Sequence, residues 1–570
     1  MEAPALVQPR PAATPVIDPA GAAYVAPIVE LLLTVGYIDG VFHQREQEFV
    51  QRYLDSVMLM IEQSLLGSGP ERARIRSAWR SHFDAIYGKL DAQLAALGAE
   101  VIATANPGYV VTRLKVRALE IVRGLDPLAR PIALELVHAV MCADGVVSAP
   151  ERHLYDELRA YFDTIVPAAS SPAVVVSSAT APITVMETQW NPLKAIGHPL
   201  LDPLECAYSP HPQELQAQVA WDYRLIEQAV IQWNRQRALG NGRLSGVQDI
   251  AQLPDGSRFL DDHVYVMRPN APVELVVLGD LHGCYGCLKA ALLQSNFINR
   301  VWMHQWDPAN CPDVKLVLLG DYIDRGRFSF DGILRAVLQL FVAIPDHVIV
   351  LRGNHEHFVW FDAAMRSGVH PAEALSSIAN HVPGEVLEAY RTLFETMPTS
   401  FVFDRTLFVH GGIPREDTFQ THYRDLSSLN HPELRFQMLW SDPSQTDHVP
   451  VALQRQNPRF SFGRAQFRGF MERVGCHTMI RGHEQIDRGF EIVYDLGDRQ
   501  LLNLFSAGGH DNRDLPEGAP YRSVIPMALT VQHGPGGVEA IPWPIAYQPF
   551  NYQTHNGLHR SNPLLEFRYT

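Results

Sequence analysis

Between residues 275 and 484, short apolar runs repeatedly end at a glycine that stands beside a charged, amide or imidazole side chain. Leu275–Leu278 and Leu316–Leu319 are two such runs, and each has the length and composition of a buried strand. Helical patterns alternate with these runs, which predicts an α/β domain. Five motifs follow in order: Gly279-Asp280-Leu281-His282-Gly283, Gly320-Asp321-Tyr322-Ile323-Asp324-Arg325-Gly326, Gly353-Asn354-His355-Glu356, His410-Gly411-Gly412 and Arg481-Gly482-His483-Glu484.

The placement of these motifs at strand ends predicts a shared site. Open α/β sheets bind ligands beyond the carboxyl ends of their strands, where loops converge. The motifs supply carboxylate oxygen, amide oxygen and imidazole nitrogen, a donor set that suits first-row metals better than calcium or thiolate-bound zinc. Two metals about 3.5–4 Å apart that share a carboxylate would hold a phosphoryl oxygen and provide a hydroxide near neutral pH. The sequence therefore predicts a hydrolytic site with two metals.

The chain of 570 residues is longer than one hydrophobic core usually supports, so more than one domain is expected. Composition and periodicity divide it into a flexible tail (1–20), an all-helical domain (21–165), an Ala/Ser/Pro linker (166–188), a connecting helical region that packs on the catalytic domain (189–270), and that domain itself (271–570).

Composition excludes several classes of protein. A formal charge of −15 argues against a nucleic-acid binder, which needs clustered Lys and Arg. Six cysteines without dense spacing do not form a disulfide framework. The first residues lack the pattern of a secretory signal, and the apolar stretch from Ala22 to Ile38 is interrupted by Glu30. We therefore expect a cytoplasmic protein that binds neither membranes nor nucleic acid.

The five motifs, in this order, resemble those of the phosphoprotein phosphatases within the calcineurin-like metallophosphoesterases, over about Val273 to Ser506. The resemblance implies a central β-sandwich flanked by helices, here preceded by an all-α domain. It also implies that a bridging Asp321 joins two metal sites. Asp280, His282 and Asp321 would hold the first metal, and Asp321, Asn354, His410 and His483 the second.

The resemblance further implies roles in substrate chemistry. His355, supported by Asp324, would protonate the leaving alkoxide, and Arg325 would hold phosphate oxygens. For Arg325 the alternative is an ion pair that stabilises its loop. Asn354 would contribute to phosphate binding as well as to the second metal.

Two later stretches bear on the substrate. Leu439-Trp440-Ser441-Asp442-Pro443 resembles a segment of protein serine/threonine phosphatases, and Asn457-Pro458-Arg459 resembles the segment that supplies a second phosphate-binding arginine. Arg459 takes that role here, although the stretch that follows is shorter than in the family. Gly508-Gly509-His510-Asp511 stands where the family has Pro-Asn-Tyr, so the usual substrate-facing tyrosine is missing.

The front domain contains an internal repeat. Asp39-Gly40-Val41 precedes Glu46 as Asp144-Gly145-Val146 precedes Glu151, with seven residues from Asp to Glu in each copy. The repeat resembles the TerB-like helical domain of tellurite resistance, whose acidic residues are associated with metal binding. The structural alternative is that these acids cap helices. A regulatory partner or a further metal at this domain is the corresponding expectation.

The function expected on this basis is that of a protein serine/threonine phosphatase that uses a dinuclear metal centre and a metal-bound hydroxide, acting on phosphoprotein substrates. Manganese is the expected metal, and iron or zinc are compatible with the same ligands. Two alternatives are a nucleotide or dinucleoside polyphosphate hydrolase and a phosphatase-like scaffold without activity.

Overall fold

The computed structural model describes residues 19–64, 130–143, 147–165, 181–308, 310–534 and 537–560, with scattered positions between 77 and 125. The chain forms two compact units, residues 1–167 and 168–570. The boundary between them falls inside the segment expected to be a linker. Within the described residues, no helix combines the length and the apolarity needed to cross a bilayer.

The first unit is mainly helical over its described residues, as the sequence predicted. Its helices are α1 (Pro19–Gly36), α2 (Gln44–Ser64), α3 (Arg130–Met141) and α4 (Ala149–Ile165). Apolar side chains recur along one face of α1, and Leu31, Leu32 and Val35 are fully buried there. Helix α1 packs against α2 and α3, and α3 packs against α4.

The two acidic repeats precede helices α2 and α4. Glu46 accepts a hydrogen bond from the backbone N–H of His43 (2.8 Å), and Glu151 accepts one from Ser148 (2.6 Å). Both glutamates are buried, and burial raises the pKa of Glu151, with the Asp39 charge acting in the same direction. These contacts are those of helix-capping residues. Asp144, the acid of the second Asp-Gly pair, lies outside the described residues.

The second unit contains two large sheets and ten helices among its described residues. The helices are α5 (Pro212–Gly240), α6 (Tyr285–Gln294), α7 (Phe297–Trp306), α8 (Arg335–Ala343), α9 (Glu373–Ile378), α10 (Gly384–Thr396), α11 (Glu416–His422), α12 (Pro432–Trp440), α13 (Val451–Gln454) and α14 (Arg464–Arg473). Short 3-10 helices occur at Asp202–Leu204, Ile250–Gln252, Leu426–Asn430, Pro520–Ser523, Gln548–Asn551 and Gly557–His559, and a π-helical turn at Ser329–Leu334.

The strands are β1 (Thr184–Val185), β2 (Arg258–Asp261), β3 (Val264–Met267), β4 (Val273–Leu278), β5 (Asp313–Leu318), β6 (Val348–Val350), β7 (Phe358–Phe361), β8 (Ala364–Ser367), β9 (Ser400–Phe403), β10 (Thr406–Val409), β11 (Ser441–Pro443), β12 (Phe460–Phe462), β13 (Thr478–Arg481), β14 (Phe490–Asp495), β15 (Gln500–Leu504), β16 (Met527–Gly534) and β17 (Gly537–Pro544). Two small two-stranded sheets are formed by β7 with β8 and by β11 with β12.

The strand order of the first large sheet is β1-β17-β16-β4-β5-β6, and that of the second is β14-β15-β13-β10-β9-β3-β2. Strands β4, β5 and β6 run parallel, with Val276 opposite Leu316 and Leu316 opposite Val348. In the second sheet β10 and β13 run parallel, with Phe408 opposite Ile480. Parallel strands bring their carboxyl ends to one edge, so each sheet presents loops at its own carboxyl edge.

Side chains from both sheets share one hydrophobic core. Leu275 of the first sheet and Phe408 and Ile480 of the second belong to the same buried cluster. Their chain neighbours Leu407 and Met479 point to the opposite face and join a second cluster with α12 and α14. This alternation gives a β-sandwich with helices outside it, as predicted.

Three strands lie in segments for which the sequence predicted other structure. Strand β1 falls in the expected linker and pairs in parallel with β17, with Thr184 opposite Glu539. Strands β2 and β3 lie in the region expected to be helical and form one end of the second sheet. Residues well before 271 therefore contribute strands to both large sheets. Helix α5 does pack on this unit, against α8, α10 and β2.

Candidate metal centre

Five loops at strand ends bring the predicted ligands together. Asp280 follows β4, Asp321 follows β5 and Asn354 follows β6 in the first sheet, whereas His410 follows β10 and His483 follows β13 in the second. All five residues are buried, with at most 8% of any of them exposed. The hydrogen bond from the His483 backbone N–H to Asp280 Oδ1 (2.9 Å) connects loops from the two sheets. The centre thus lies where the carboxyl ends of both sheets meet.

The first group of donor atoms surrounds His282 Nε2. This nitrogen lies 3.6 Å from Asp280 Oδ2 and 3.5 Å from Asp321 Oδ2. His355 Nε2 lies 3.8 Å from the same Asp321 oxygen. The donor atoms of His282, Asp321 and His355 all lie within 4.8 Å of one another, which is close enough for one metal ion to reach them.

The second group surrounds the other oxygen of Asp321. His410 Nε2 lies 3.3 Å from Asp321 Oδ1, and the donor atoms of Asp321, His410 and His483 fall within 4.8 Å of one another. Asn354 Oδ1 lies 2.8 Å from His410 Nε2. Asp321 therefore belongs to both groups, and its two oxygens face different histidines, as a bridging carboxylate requires.

Several buried polar atoms here lack the partners that they would have in a purely structural cluster. Asp280 Oδ2 and His483 Nε2 make no hydrogen bond to any described residue. The terminal Asn354 atom that faces the centre lies 3.2 Å from both Asp321 oxygens. An amide oxygen there is repelled by the carboxylate unless a cation lies between them, whereas an amide nitrogen would donate to it. These residues fit a metal centre.

Backbone hydrogen bonds fix the orientation of two ligand histidines. His282 Nδ1 contacts the Ile323 carbonyl and His410 Nδ1 contacts the Leu319 carbonyl, each at 3.0 Å. With Nδ1 as the donor, Nε2 is left unprotonated and directed at the centre, which is the tautomer that a metal binds.

The backbone of the site is strained. Five predicted site residues adopt positive φ although they are not glycine: His282, Asp321, Asp324, Arg325 and His483. Such conformations cost of the order of 1–3 kcal/mol each and concentrate at functional sites. Glycines make the close approach of the loops possible, because a Cβ on Gly353 would lie 2.2 Å from Asp321 Oδ1 and one on Gly482 would lie 2.3 Å from Asp280 Oδ1.

Charged neighbours also shift the pKa values of the histidines in the site. Burial opposes protonation of His282, yet the neighbouring carboxylates of Asp280 and Asp321 raise its pKa to about 9. Burial and the neighbouring His410 and Arg481 hold the pKa of His483 well below its usual range. Metal binding must displace the proton of His282, so metal affinity is expected to rise with pH.

Glu356, the last residue of the third motif, holds the backbone of two loops of the site. Its fully buried carboxylate accepts hydrogen bonds from the backbone N–H groups of Asp321 (2.8 Å), Tyr322 (2.9 Å) and Gly353 (3.0 Å). Burial, followed by the charge of Asp321, raises the pKa of Glu356 to about 7. Its carboxylate therefore fixes the backbone of the loops that carry Asp321 and Gly353.

His355 and Asp324 form the predicted pair. His355 Nδ1 lies 2.7 Å from Asp324 Oδ2, and both side chains are buried. The second Asp324 oxygen accepts a hydrogen bond from the Ala374 N–H at 2.8 Å. The imidazole Nε2 is thereby directed toward Asp321, at the edge of the first group of ligands.

The two predicted phosphate-binding arginines have different surroundings. Arg325 Nη1 donates to both oxygens of Glu373 at 2.8 Å, so the ion pair considered as its structural alternative exists. Arg459 is half-exposed and its Nε lies 2.6 Å from Asp442 Oδ2. The other Asp442 oxygen lies 3.7 Å from His483 Nε2, which puts Arg459 one residue away from the second group of ligands.

A tyrosine does reach the site, from outside the five motifs and outside residues 508–511. The Tyr521 hydroxyl lies 3.4 Å from His282 Nε2, and its ring packs on His282 and Phe505 with centroid separations of 5.1 and 5.0 Å. Tyr521 belongs to the 3-10 helix Pro520–Ser523. Burial and the charges of Asp280 and Asp321 raise its pKa, so its hydroxyl stays protonated.

Comparison with known proteins supports this reading of the site. Residues 273–487 match the calcineurin-like phosphoesterase family, whose members use divalent metals. The chain is 25% identical over 275 residues to a probable serine/threonine-protein phosphatase of Encephalitozoon cuniculi (strain GB-M1), covering 46% of this chain and 53% of the relative. It is 26% identical over 238 residues to a serine/threonine-protein phosphatase of Caenorhabditis elegans, covering 40% and 46%.

The chain thus spans about half the length of the curated relatives that it matches. Among solved structures, a protein serine/threonine phosphatase from Saccharomyces cerevisiae with similarity to human phosphatase PP5 aligns with a TM-score of 0.36 and 16% identity, over 57% of this chain and 89% of that one. The family match covers all five motifs that build the site. Residues 273–487 of the chain are therefore similar to the calcineurin-like phosphoesterases, the family to which their five motifs were compared.

Proposed function

We propose that this chain hydrolyses phosphomonoesters with two divalent metal ions, and that its substrates are proteins phosphorylated on serine or threonine. The observation that carries the proposal is the position of Asp321, whose two oxygens face two separate groups of buried donors. Two metals held on a shared carboxylate are the arrangement that clamps both the attacking and the leaving oxygens of an in-line displacement.

Each predicted ligand has a place in this scheme. Asp280, His282 and Asp321 hold one metal, and Asp321 and Asn354, with the histidines at 410 and 483, hold the other. When bound, the metals supply Lewis-acid polarisation of a phosphoryl oxygen and activation of a water molecule. Manganese is the metal that we propose, with iron and zinc compatible with the same donors.

The proton required by the leaving alkoxide comes from His355. Asp324 holds His355 Nδ1 at 2.7 Å, which keeps that nitrogen protonated and leaves Nε2 to carry the transferable proton. Arg325 and Arg459 bind the remaining phosphoryl oxygens in this scheme. For Arg325, this role requires that a phosphate compete with Glu373 for the guanidinium.

The preference for protein substrates rests on two supports. Both curated relatives are named as serine/threonine-protein phosphatases. The Trp440-Ser441-Asp442 stretch, which resembles a segment of those enzymes, lies beside the site, since the Trp440 and His483 rings are in edge contact at 6.3 Å. Residues 508–511 lack the Pro-Asn-Tyr sequence of the protein phosphatases. This difference favours the alternative function, that of a nucleotide or dinucleoside polyphosphate hydrolase.

A substrate panel separates these functions. The full-length protein is loaded with manganese and assayed on phosphoserine and phosphothreonine peptides, on diadenosine tetraphosphate and on an aryl phosphate. Release of phosphate from the peptides supports the proposal, whereas turnover of diadenosine tetraphosphate alone favours the second function. If metal-loaded protein hydrolyses none of these while it retains bound manganese, the domain is a scaffold. Asp321→Asn protein serves as the control for contaminating phosphatases.

The proposal also covers the rest of the chain. The N-terminal unit is assigned a regulatory role, through a partner or a further metal at Asp39, Glu46, Asp144 and Glu151 in a TerB-like arrangement. The buried Glu46 and Glu151 are linked by a hydrogen bond, which supports their acting together. A cytoplasmic location completes the proposal, supported by the sparse cysteine content.

A further inference from the structure

The segment from residue 508 to 524 replaces the family's tyrosine-bearing loop and carries a tyrosine of its own, 13 residues after Gly508. We propose that Tyr521 positions the substrate by donating a hydrogen bond from its hydroxyl to a phosphoryl oxygen held at Arg325. This role rests on the proposed phosphomonoesterase function and identifies a residue that the five motifs do not contain.

The hydroxyl lies between the groups that a phosphate must contact. It is 3.4 Å from His282 Nε2, a nitrogen that also faces Asp280 and Asp321. It also interacts with the Arg325 side chain. A phosphoryl group bound to Arg325 and to a metal on His282 would therefore have an oxygen next to this hydroxyl.

The same geometry explains why the hydroxyl hydrogen of Tyr521 is available to a ligand. In the metal-free site the Tyr521 hydroxyl lies 3.4 Å from His282 Nε2. A metal on Nε2 occupies the lone pair with which the imidazole would accept a hydrogen bond. The phenolic O–H of Tyr521 then has its hydrogen available for an oxygen of the ligand.

The backbone around Tyr521 is braced, so the hydroxyl is held in place. The Arg522 guanidinium donates to three carbonyl groups of the same segment, those of His510 (2.8 Å), Leu515 (2.7 Å) and Pro516 (2.8 Å). Ser523 Oγ donates to Asp487 Oδ1 at 3.0 Å. A donor fixed in this way loses little conformational entropy when a ligand binds, which is what a positioning residue requires.

The packing of the ring is compatible with a conservative test. The Tyr521 ring stacks against His282 and meets the edge of Phe505, and neither contact involves the hydroxyl. Tyr521→Phe therefore keeps the packing and removes only the donor. Tyr552→Phe is the matched control, because Tyr552 is 57% exposed and packs on Arg513, outside the metal centre.

The test is calorimetric titration of inorganic phosphate into full-length protein saturated with manganese. The expected result is that Tyr521→Phe weakens phosphate binding about tenfold, equivalent to about 1.4 kcal/mol, while Tyr552→Phe leaves it unchanged. The KM for an aryl phosphate rises by a similar factor, and the affinity for manganese stays within twofold of that of the unmodified protein.

Other results would overturn the assignment. Unchanged phosphate affinity in Tyr521→Phe, or no phosphate binding by the unmodified protein, excludes a phosphate-positioning role. A loss of manganese affinity that accounts for the loss of phosphate binding would instead make Tyr521 a support of the metal ligands. If the unmodified protein binds phosphate but hydrolyses no phosphomonoester, the proposed function fails, and the phosphate titration still decides the role of Tyr521.

Discussion

Glu356→Ala tests whether the loop of the bridging aspartate is held by a residue that contacts no metal. The substitution leaves the backbone N–H groups of Asp321, Tyr322 and Gly353 without their acceptor. An unsatisfied buried donor costs about 1–3 kcal/mol, so three of them cost roughly 3–9 kcal/mol. Water that enters the space vacated by the side chain recovers part of this, and we expect a loss of about 3–5 kcal/mol, typical of a broken buried network.

The metal affinity should fall as well, because Asp321 loses the contacts that fix its backbone. Residues that orient metal ligands usually contribute about 10–100-fold to metal affinity, and we expect a decrease of that size for manganese. Glu356→Gln keeps one acceptor oxygen and should give an intermediate result. Glu388→Ala is the control, because Glu388 pairs with Arg391 at the surface and such a pair contributes about 0–1 kcal/mol.

Urea unfolding of metal-free protein, followed by tryptophan fluorescence, measures the stability. Eight of the nine tryptophans lie in residues 168–570, so the signal reports on the unit that contains Glu356. Calorimetric titration with manganese measures the second effect. If Glu356→Ala unfolds within 1 kcal/mol of the unmodified protein and binds manganese equally well, the argument that Glu356 builds the metal loop is wrong.

Three further predictions concern the ligands, the proton donor and pH. Asp321→Asn should reduce bound manganese to less than one ion per chain by elemental analysis, since both donor groups share this residue. Asp324→Asn should lower kcat about 10²–10³-fold in steady-state assays, with metal content retained, because it removes the carboxylate that orients His355. Between pH 8 and pH 5, the free energy of unfolding measured by urea titration should fall by about 2 kcal/mol less in His263→Asn than in the unmodified protein.

The sign of the His263 prediction follows from its environment. Burial, with the Arg435 charge second, lowers the pKa of His263 to about 4, against about 6.5 in an unfolded chain. Its contribution is therefore fully present above pH 6.5 and is lost as the pH falls toward 4. Asparagine can still donate to the Met397 carbonyl, which His263 Nδ1 contacts at 3.0 Å. Identical pH profiles for the two proteins would contradict the assigned titration.

For the other two variants, the contradicting results are equally direct. Two manganese ions per chain in Asp321→Asn would show that the shared carboxylate is dispensable. A kcat for metal-saturated Asp324→Asn within threefold of that of the unmodified protein would contradict the proton-transfer role of His355.

The sequence predicted the parts of the fold that are encoded by continuous apolar runs. Strands β4 and β5 are buried on both faces, so they read as unbroken hydrophobic segments whose ends are marked by glycine. The site followed from the same signal, because polar residues at the ends of parallel strands must converge. The architecture was confirmed, and the predicted ligands lie close together.

What the sequence did not reveal depends on long-range pairing. Strand β1 has two residues, too few for a periodic pattern, and exists because Met186 N–H donates to the Ala540 carbonyl more than 350 residues away in sequence. The contacts of Glu356 could not be predicted, because its partners are backbone N–H groups that carry no sequence signal. Tyr521 reaches the site through a loop that follows no recognised motif.

The pairing of β1 limits how the catalytic unit can be isolated. A fragment that begins at Gln189, the end of the expected linker, lacks the chain that covers the outer side of β17. The Ala540 carbonyl would then be open to solvent along a strand of eight residues. Uncovered strand edges pair with other chains. Such a fragment is therefore expected to self-associate, and a truncated catalytic unit should begin before Thr184.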